Sequence, residues 1–240
     1  MDSVDTSIIL CAYNEGHVIA KAIRRVEAAM EGYGARYEVI VVDDGSTDDT
    51  RERALEYKKK NNDSRLKVLG YDKNRGKGGA IKYGFAHSAG KKIVFIDGDL
   101  GVSPKHIPEF LEKLEKSDVV IGSKWHPGSS INAGLKRKFL SIGFNTFSRM
   151  MTGIKMRDTQ TGLKAFRRDV LEHIAPKLVV NKYAFDLELM VMCNHGGFRI
   201  AEMPVKVTID GMARFKDIFR MALDTLRVAY RIRVLKVHER

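Results

Sequence analysis

The chain has 240 residues, 44% of them hydrophobic and 30% charged, with only 5 prolines; this globular balance excludes disorder, collagen-like and coiled-coil architectures and leaves room for one large α/β domain. Two cysteines, Cys11 and Cys193, both in apolar stretches, support neither a disulfide framework nor a cysteine metal site and point to a reducing compartment. The net charge of +12 is uneven: residues 1–120 carry 20 Lys+Arg against 20 Asp+Glu, and residues 121–240 carry 22 against 10, so a neutral half precedes one expected to meet something anionic.

From Thr6 to Ala12 the run TSIILCA is short, apolar and β-branched, and from Glu15 the spacing Val18, Ala22, Val26, Met30 is helical. The unit recurs with YEVIVV (37–42) and a helix from about Thr47, then with RLKVLGY (65–71) and a helix after Gly76. It recurs again with KKIVFI (91–96) and a helix from Pro104 to about Lys116, before a fifth strand, DVVIGS (118–123). Near-continuous apolar strands joined by helices predict an α/β fold with a mainly parallel sheet covered by helices on both faces.

In such a sheet, ligands bind beyond the carboxyl ends of the strands. The unusual residues fall there: Tyr13-Asn14-Glu15 after the first strand, Asp43-Asp44-Gly45-Ser46 after the second, Asp97-Gly98-Asp99 after the fourth. Each alone reads as a cap or a solvated turn. Three acidic clusters on one sheet edge repel one another unless a cation or a donor-rich ligand lies among them. Asp97 and Asp99 flank a glycine, as carboxylates do that share a hard divalent cation with water and a substrate diphosphate. The glycine-rich NRGKGGA (74–80) opens a helix and would bring Lys77 and backbone N–H groups near phosphates. It is not a dinucleotide fingerprint, which would follow the first strand, where CAYNEG stands.

SIILCAYNE, VVDDGSTD, NRGKGGA and IDGDL, in this order and spacing, resemble the family 2 glycosyltransferases of GT-A fold. Within them the chain is most similar to the polyprenyl-phosphate sugar synthases of the dolichyl-phosphate mannose and glucose type. The resemblance covers roughly residues 5–210. It implies a Rossmann-like sheet, a nucleotide-sugar donor and Mg2+ or Mn2+ as cofactor. Ala12, Tyr13, Glu15, Asp43 and Asp44 would hold base and ribose, Lys77 the phosphates, and Asp97 and Asp99 the metal and diphosphate. RDTQTGLKAF (157–166) is similar to an acceptor-side segment of the glucose-transferring subgroup, and FDLELM (185–190) to the acidic helix that follows it. Asp97, Asp99 and Asp158 are thus the expected catalytic residues, Asp158 orienting the acceptor or serving as base. Ser123, Lys124, Gln160 and Glu188 are expected on the acceptor. Two departures, Gly101 where mannose-type members often have glutamine and Lys124 where the family has arginine, lean toward glucose or another hexose.

The basic half fits an anionic acceptor, a polyprenyl or dolichyl phosphate. HPGSSINAGLKRK (126–138), with Lys136 and Arg137, reads as a mobile lid, and Arg214 is expected to join the acceptor site. ARFKDIFRMALDTLRVAYRIR (213–233) places Phe215, Ile218, Phe219, Ala222, Leu226 and Ala229 or Tyr230 on one face and Lys216, Arg220, Asp224, Arg227 and Arg231 on the other. Such a helix lies on a membrane surface or packs a core with a solvated basic face. There is no run of about 18 apolar residues, and the acidic start with its short apolar run is no signal peptide. The expectation is a catalytic domain over 1–210, divided at 123 into a nucleotide and metal half and an acceptor half, and a basic amphipathic tail over 211–240. The protein would be cytoplasmic and peripheral at a membrane, with any transmembrane anchor supplied by a partner protein. A haloacid-dehalogenase-like phosphatase is excluded because its D-x-D lies near the N-terminus and Gly101 breaks its pattern. A nucleic-acid binder would be evenly basic with interleaved aromatics, which the neutral first half is not. A family 2 enzyme with a soluble or polysaccharide acceptor would share the same donor half.

Overall fold

Strand β1 (Thr6–Ala12) lies inside the sheet because both of its faces are apolar. Ile8 and Leu10 pack on one side and Ile9 on the other, all fully buried. The computed structural model describes residues 4–208 and 215–235. Around β1 run α1 (Ile19–Met30), β2 (Tyr37–Asp43), α2 (Thr50–Asn61), β3 (Leu66–Gly70), α3 (Lys77–Ala86), β4 (Lys92–Asp97), α4 (Ile107–Leu114) and β5 (Val119–Ser123). The second half adds β6 (Ser130–Asn132), α5 (Leu135–Thr152), β7 (Lys164–Arg167), α6 (Arg168–Ile174), α7 (Phe185–His195), β8 (Ile200–Pro204), β9 (Lys206–Thr208) and α8 (Phe215–Arg233).

Among the described residues, the main sheet has the order β3-β2-β1-β4-β7-β5-β8. Its pairs are parallel except where β7 enters antiparallel between β4 and β5. The mainly parallel sheet is as expected, while β7 is not, since the acceptor-side segment itself supplies the strand. Helices α3, α7 and α8 cover one face with Ile9, Ile40, Phe95 and Phe166 beneath them. On the other face α1 and α4 pack over Ile8, Val39, Val94 and Val120. Burying each such large side chain stabilises the fold by about 1.5–3 kcal/mol. Register sets the functional edge: Ala12 pairs with Asp43, and Cys11 with Asp97, so β1, β2 and β4 end side by side.

The first two helices begin later than the apolar spacing implies, at Ile19 and Thr50, because the residues before them knit two loops together. Asn14 N–H donates to Ser46 Oγ (2.9 Å), Glu15 N–H to Thr50 Oγ1 (2.8 Å) and Gly16 N–H to Asp48 Oδ2 (3.1 Å). Thr47 N–H returns a bond to Asn14 Oδ1 (2.8 Å). Asn14 itself sits at φ 57°, a left-handed conformation that asparagine tolerates better than most residues. The 126–138 segment, expected as a lid, contains β6 paired with β9 and then the start of α5.

Helix α8 packs on α5 and α7, but through a different face from the one the helical spacing favours. Thr225, Val228, Ala229 and Ile232 are buried, whereas Phe219, Leu226 and Tyr230 are exposed. In this rotation Arg231 donates to the buried carboxylate of Glu188 and, at 3.2 Å, to the carbonyl of Lys177. Arg214 and the side chains of Phe215, Lys216 and Ile218 lie outside the described residues.

Candidate functional site

At the carboxyl ends of β1 and β4 a cleft of about 200 Å³ is lined by Cys11, Ala12, Tyr13, Glu15, Asp44, Lys77, Ala80, Asp97, Gly98 and Asp99. It brings together six of the residues expected at the nucleotide and the second residue of the acidic pair. Asp43 is not among these lining residues; it is buried, with Oδ1 accepting from Ser46 N–H at 3.2 Å. Asp44 is tied down by Tyr71 Oη (2.6 Å), Asn74 Nδ2 (3.0 Å) and Arg75 N–H (2.9 Å). It therefore holds the segment that leads into α3 and presents Lys77. Burial, with Asp97 adding to it, pushes the Cys11 thiol well above its ordinary value, so it is an apolar wall of the cleft and not a nucleophile.

Asp99 is exposed, and its Oδ1 accepts from Gly101 N–H at 2.8 Å across a turn in which Leu100 sits at φ 58°. Asp97 is partly buried. Lys77 Nζ lies 2.9 Å from its Oδ1 and 3.2 Å from its Oδ2. Burial pushes the Asp97 carboxyl upward, Lys77 opposes this, and Asp99 and Asp186 add to it. Glu15 is raised by burial and then by Asp99. Three acids facing one cleft are thus under mutual strain. Among the described residues no group of three or more His, Cys, Asp or Glu could hold a metal ion. Asp97 and Asp99 fit a hard cation nonetheless, since two carboxylates suffice when water and a diphosphate complete the shell.

Two charged residues behind the cleft escape sequence reasoning. Asp186, on the first turn of α7, lies 3.0 Å from Lys77 Nζ through Oδ2 and 2.6 Å from Lys164 Nζ through Oδ1. Lys164, on β7, also donates to Thr161 O at 2.6 Å. Burial would depress the Lys77 ammonium, but Asp186 and Asp97 overcome it and hold Lys77 above the usual lysine range. Burial wins at Lys164, which is lowered against the pull of Asp186. The signal that would have found the pair is a lysine inside the apolar run GLKAF, because a buried ammonium requires a carboxylate.

The acceptor-side residues divide. Ser123 ends β5, and Lys124 follows it into an ion pair with buried Asp158 at 3.1 Å. Asp158 also accepts from Lys124 N–H (3.0 Å), Gln160 N–H (2.9 Å) and Thr161 Oγ1. Four donors occupy this carboxylate, and through them Asp158 fixes the 158–161 turn against β5. Ser123 Oγ, Trp125 Nε1 and Gln160 Nε2 are buried without a hydrogen-bond partner among the described residues. Glu188 does not join them. It is fully buried, accepts from Val179 and Val180 N–H (3.0 and 2.8 Å) and pairs with Arg231. Residues i and i+2 of a helix point apart, so Asp186 reaches Lys77 behind the cleft and Glu188 reaches α8. Lys136 and Arg137 fall in the first turn of α5 with side chains outside those described, and Arg214 lies outside the described residues.

The segments expected at donor and acceptor touch at Gly162. A Cβ there would overlap the Asp97 carboxylate, so the turn of D-T-Q-T-G lies directly against the first acid of D-G-D.

The family model described as Glycosyl transferase family 2 matches residues 7–175. The dolichyl-phosphate beta-glucosyltransferase of Dictyostelium discoideum is 32% identical over 247 residues, covering 96% of this chain and 76% of that protein. Its namesake in Saccharomyces cerevisiae is 30% identical over 253 residues, covering 95% and 76%. Among solved structures, glucosyl-3-phosphoglycerate synthase from Mycobacterium tuberculosis, in complex with Mn2+, UDP and glucosyl-3-phosphoglycerate, superposes with a TM-score of 0.70 at 20% identity over 95% of this chain and 79% of that one. At that identity the likeness establishes the fold.

Proposed function

Because the chain belongs to glycosyl transferase family 2 and is a hexosyltransferase, we propose that it moves glucose from UDP-glucose to a dolichyl or other polyprenyl phosphate, inverting the anomeric carbon. The observation that carries the reading is the contact of Gly162 with Asp97, which sets an acceptor-side turn with buried unpartnered donors beside an open acidic pair. The names of the relatives support the sugar and the lipid. GDP-mannose is the competing donor.

Tyr13 at the rim and the Ala12–Glu15 loop would take the base and ribose. A divalent cation, Mg2+ or Mn2+, held by Asp97 and Asp99 would supply charge stabilisation to the departing nucleoside diphosphate. A phosphate monoester has a second pKa of about 6, so a lipid phosphate arrives already ionised and asks for no general base. This agrees with the saturation of Asp158 by its own chain. What the reaction needs from the protein is placement. In this reading Ser123 O–H, Trp125 Nε1–H and the Gln160 amide supply donors to the acceptor phosphate, and Asp158 positions Gln160 and Lys124 for it. Residues 1–123 form the nucleotide and metal half and 124–210 the acceptor half, and α8, anchored in the core by Val228 and Ile232, presents its outer face to the surface.

The lipid acceptor implies contact with a membrane, and two apolar stripes support this. Phe139, Ile142 and Met150 on α5 and Phe219, Leu223, Leu226 and Tyr230 on α8 are exposed, at helical spacing on helices packed together, with Arg220 and Arg227 beside them. Among the described residues no helix is long and apolar enough to cross a membrane. The two helices would lie on an anionic bilayer, at its cytoplasmic face, with the excess of basic residues toward its headgroups. Flotation with phosphatidylserine vesicles at low salt should carry the protein upward; protein left at the bottom contradicts the surface assignment.

The transfer assay is direct. With Mn2+ or Mg2+ and a polyprenyl phosphate, labelled UDP-glucose should yield organic-phase label and GDP-mannose much less. Label that stays aqueous with both donors overturns the lipid acceptor, and label passed to a soluble acceptor points to the other branch of the family.

A further inference from the structure

Four charges run in alternation from the core to the cleft. Lys164, with a side chain 2% exposed, contacts Asp186, 10% exposed; Asp186 contacts Lys77, 25% exposed; and Lys77 contacts Asp97, 34% exposed. The inner members are fixed. Lys164 is held by β7 and by the carbonyl of Thr161, and it takes Asp186 Oδ1, leaving Oδ2 for Lys77. The outer member is not fixed in the same way: Asp97 lines the open cleft and has Lys77 as its cationic partner.

The backbone around Lys77 is built for this position. Gly78 N–H donates to Asn181 O at 2.9 Å, and a Cβ at Gly78 would overlap the ring of Phe185. The first turn of α3 is therefore pressed against the segment that enters α7, one residue before Asp186. This approach lets one ammonium reach carboxylates on β4 and α7 together.

We propose that Lys77 is a displaceable counter-ion: it occupies Asp97 while the cleft is empty, and yields that carboxylate to the divalent cation while remaining anchored on Asp186. The inference rests on the reading of Asp97 as a cation ligand. A dication and an ammonium on the same two oxygens repel, so they occupy Asp97 in turn. Without Asp186 the released ammonium would be stranded in a partly buried place, and release would be disfavoured. With it, Lys77 keeps a partner and points its remaining N–H groups into the cleft where a diphosphate would lie. Asp186 and Lys164 are then positioning residues, the second holding the first in its ionised, oriented form. The device gives order to assembly, because Asp97 is charge-compensated by Lys77 and a bare cation binds weakly until the phosphates arrive to take Lys77.

The test measures Mn2+ binding alone, from the electron paramagnetic resonance signal of the free ion, with no donor or acceptor present. Lys77→Gln, which removes the competing charge but keeps hydrogen-bonding reach, should bind Mn2+ at least five-fold more tightly than wild type. Lys77→Arg should return to within two-fold of wild type. Asp186→Asn, which leaves Lys77 with Asp97 alone, should bind Mn2+ several-fold more weakly, and thermal melts report whether each variant is folded. Arg75→Gln removes a nearby cation that stacks on Tyr71 and does not touch Asp97, and should change binding less than two-fold. Equal or weaker binding by Lys77→Gln, including no binding by either protein, overturns the inference, as does equal tightening in Arg75→Gln, which would mean a general field effect. Wild-type transfer is scored separately: tighter Mn2+ binding by Lys77→Gln with no lipid-linked sugar formed sustains the counter-ion and sinks the proposed acceptor.

Discussion

The acids at the ends of β1 and β4 and the acids of the second half are alike in sequence and opposite in circumstance. Asp99 is exposed, and Glu15 and Asp97 are pushed upward by burial and by neighbouring carboxylates. Asp158 and Glu188 are buried, with donors supplied by their own chain to both oxygens. The first group stores repulsion that a cation and a ligand would relieve; the second spends its charge on geometry. Substitutions should therefore separate the two, one set changing transfer and the other stability.

The largest structural effect is expected at Asp158→Ala, which strands Lys124, its side chain 9% exposed, and frees the 158–161 turn. A cost of about 3–5 kcal/mol corresponds to a melting temperature lower by about 10 °C for a chain of this size; calorimetry showing a loss under 2 °C would merge the two groups again. Next comes the contrast between exposed apolar faces. Phe139, 73% exposed on α5, contributes nothing to the core, so Phe139→Asp should leave the melt unchanged while vesicle binding in flotation weakens about tenfold, from about 1.5 kcal/mol of lost apolar burial in the bilayer. Unweakened flotation would remove α5 from the membrane face.

A smaller effect belongs to Asp118, where hydrogen bonds from Arg199 hold the carboxyl down at about 2 against an ordinary 3.8. A depressed carboxyl stabilises the fold above its unfolded value and loses that contribution as pH falls through its folded one. Asp118→Asn should thus cost about 1 kcal/mol at neutral pH, and the gap from wild type in acid unfolding should close between about pH 4 and pH 2; a constant gap contradicts the pairing. The smallest expected change is in the stability of Asp99→Asn, within about 0.5 kcal/mol of wild type because the side chain is exposed. A large drop in its melt would place Asp99 with the structural acids.

The strand ends were legible because TSIILCA, YEVIVV and KKIVFI are apolar on both faces, which forces them inside a covered sheet and leaves their acidic tips as the only chemistry on that edge. Strand β7 was hidden, since four residues containing a lysine carry no strand period, and its lysine is accommodated in the core by the ion pair with Asp186. The helix FDLELM stood out in sequence through Glu188, yet it is Asp186 that pairs with Lys77; composition shows two acids, and the packing of Phe185 against Gly78 brings the start of α7 against the turn that carries Lys77. In α8 apolar residues occupy more than half the circumference, so a helical wheel offers two packing faces. The face that packs is the one on which Val228 and Ile232 are buried and from which Arg231 meets Glu188.

The central claim is that the open acids of the first half carry the transfer and the saturated acids of the second half do not. It is tested most directly by comparing wild type with Asp99→Asn in the formation of lipid-linked hexose from a nucleotide sugar with Mn2+ at saturating lipid phosphate. Loss of one carboxylate at the site of developing charge should reduce transfer about 100-fold or more, while the melting temperature stays where it was. Transfer by Asp99→Asn within two-fold of wild type would contradict the account.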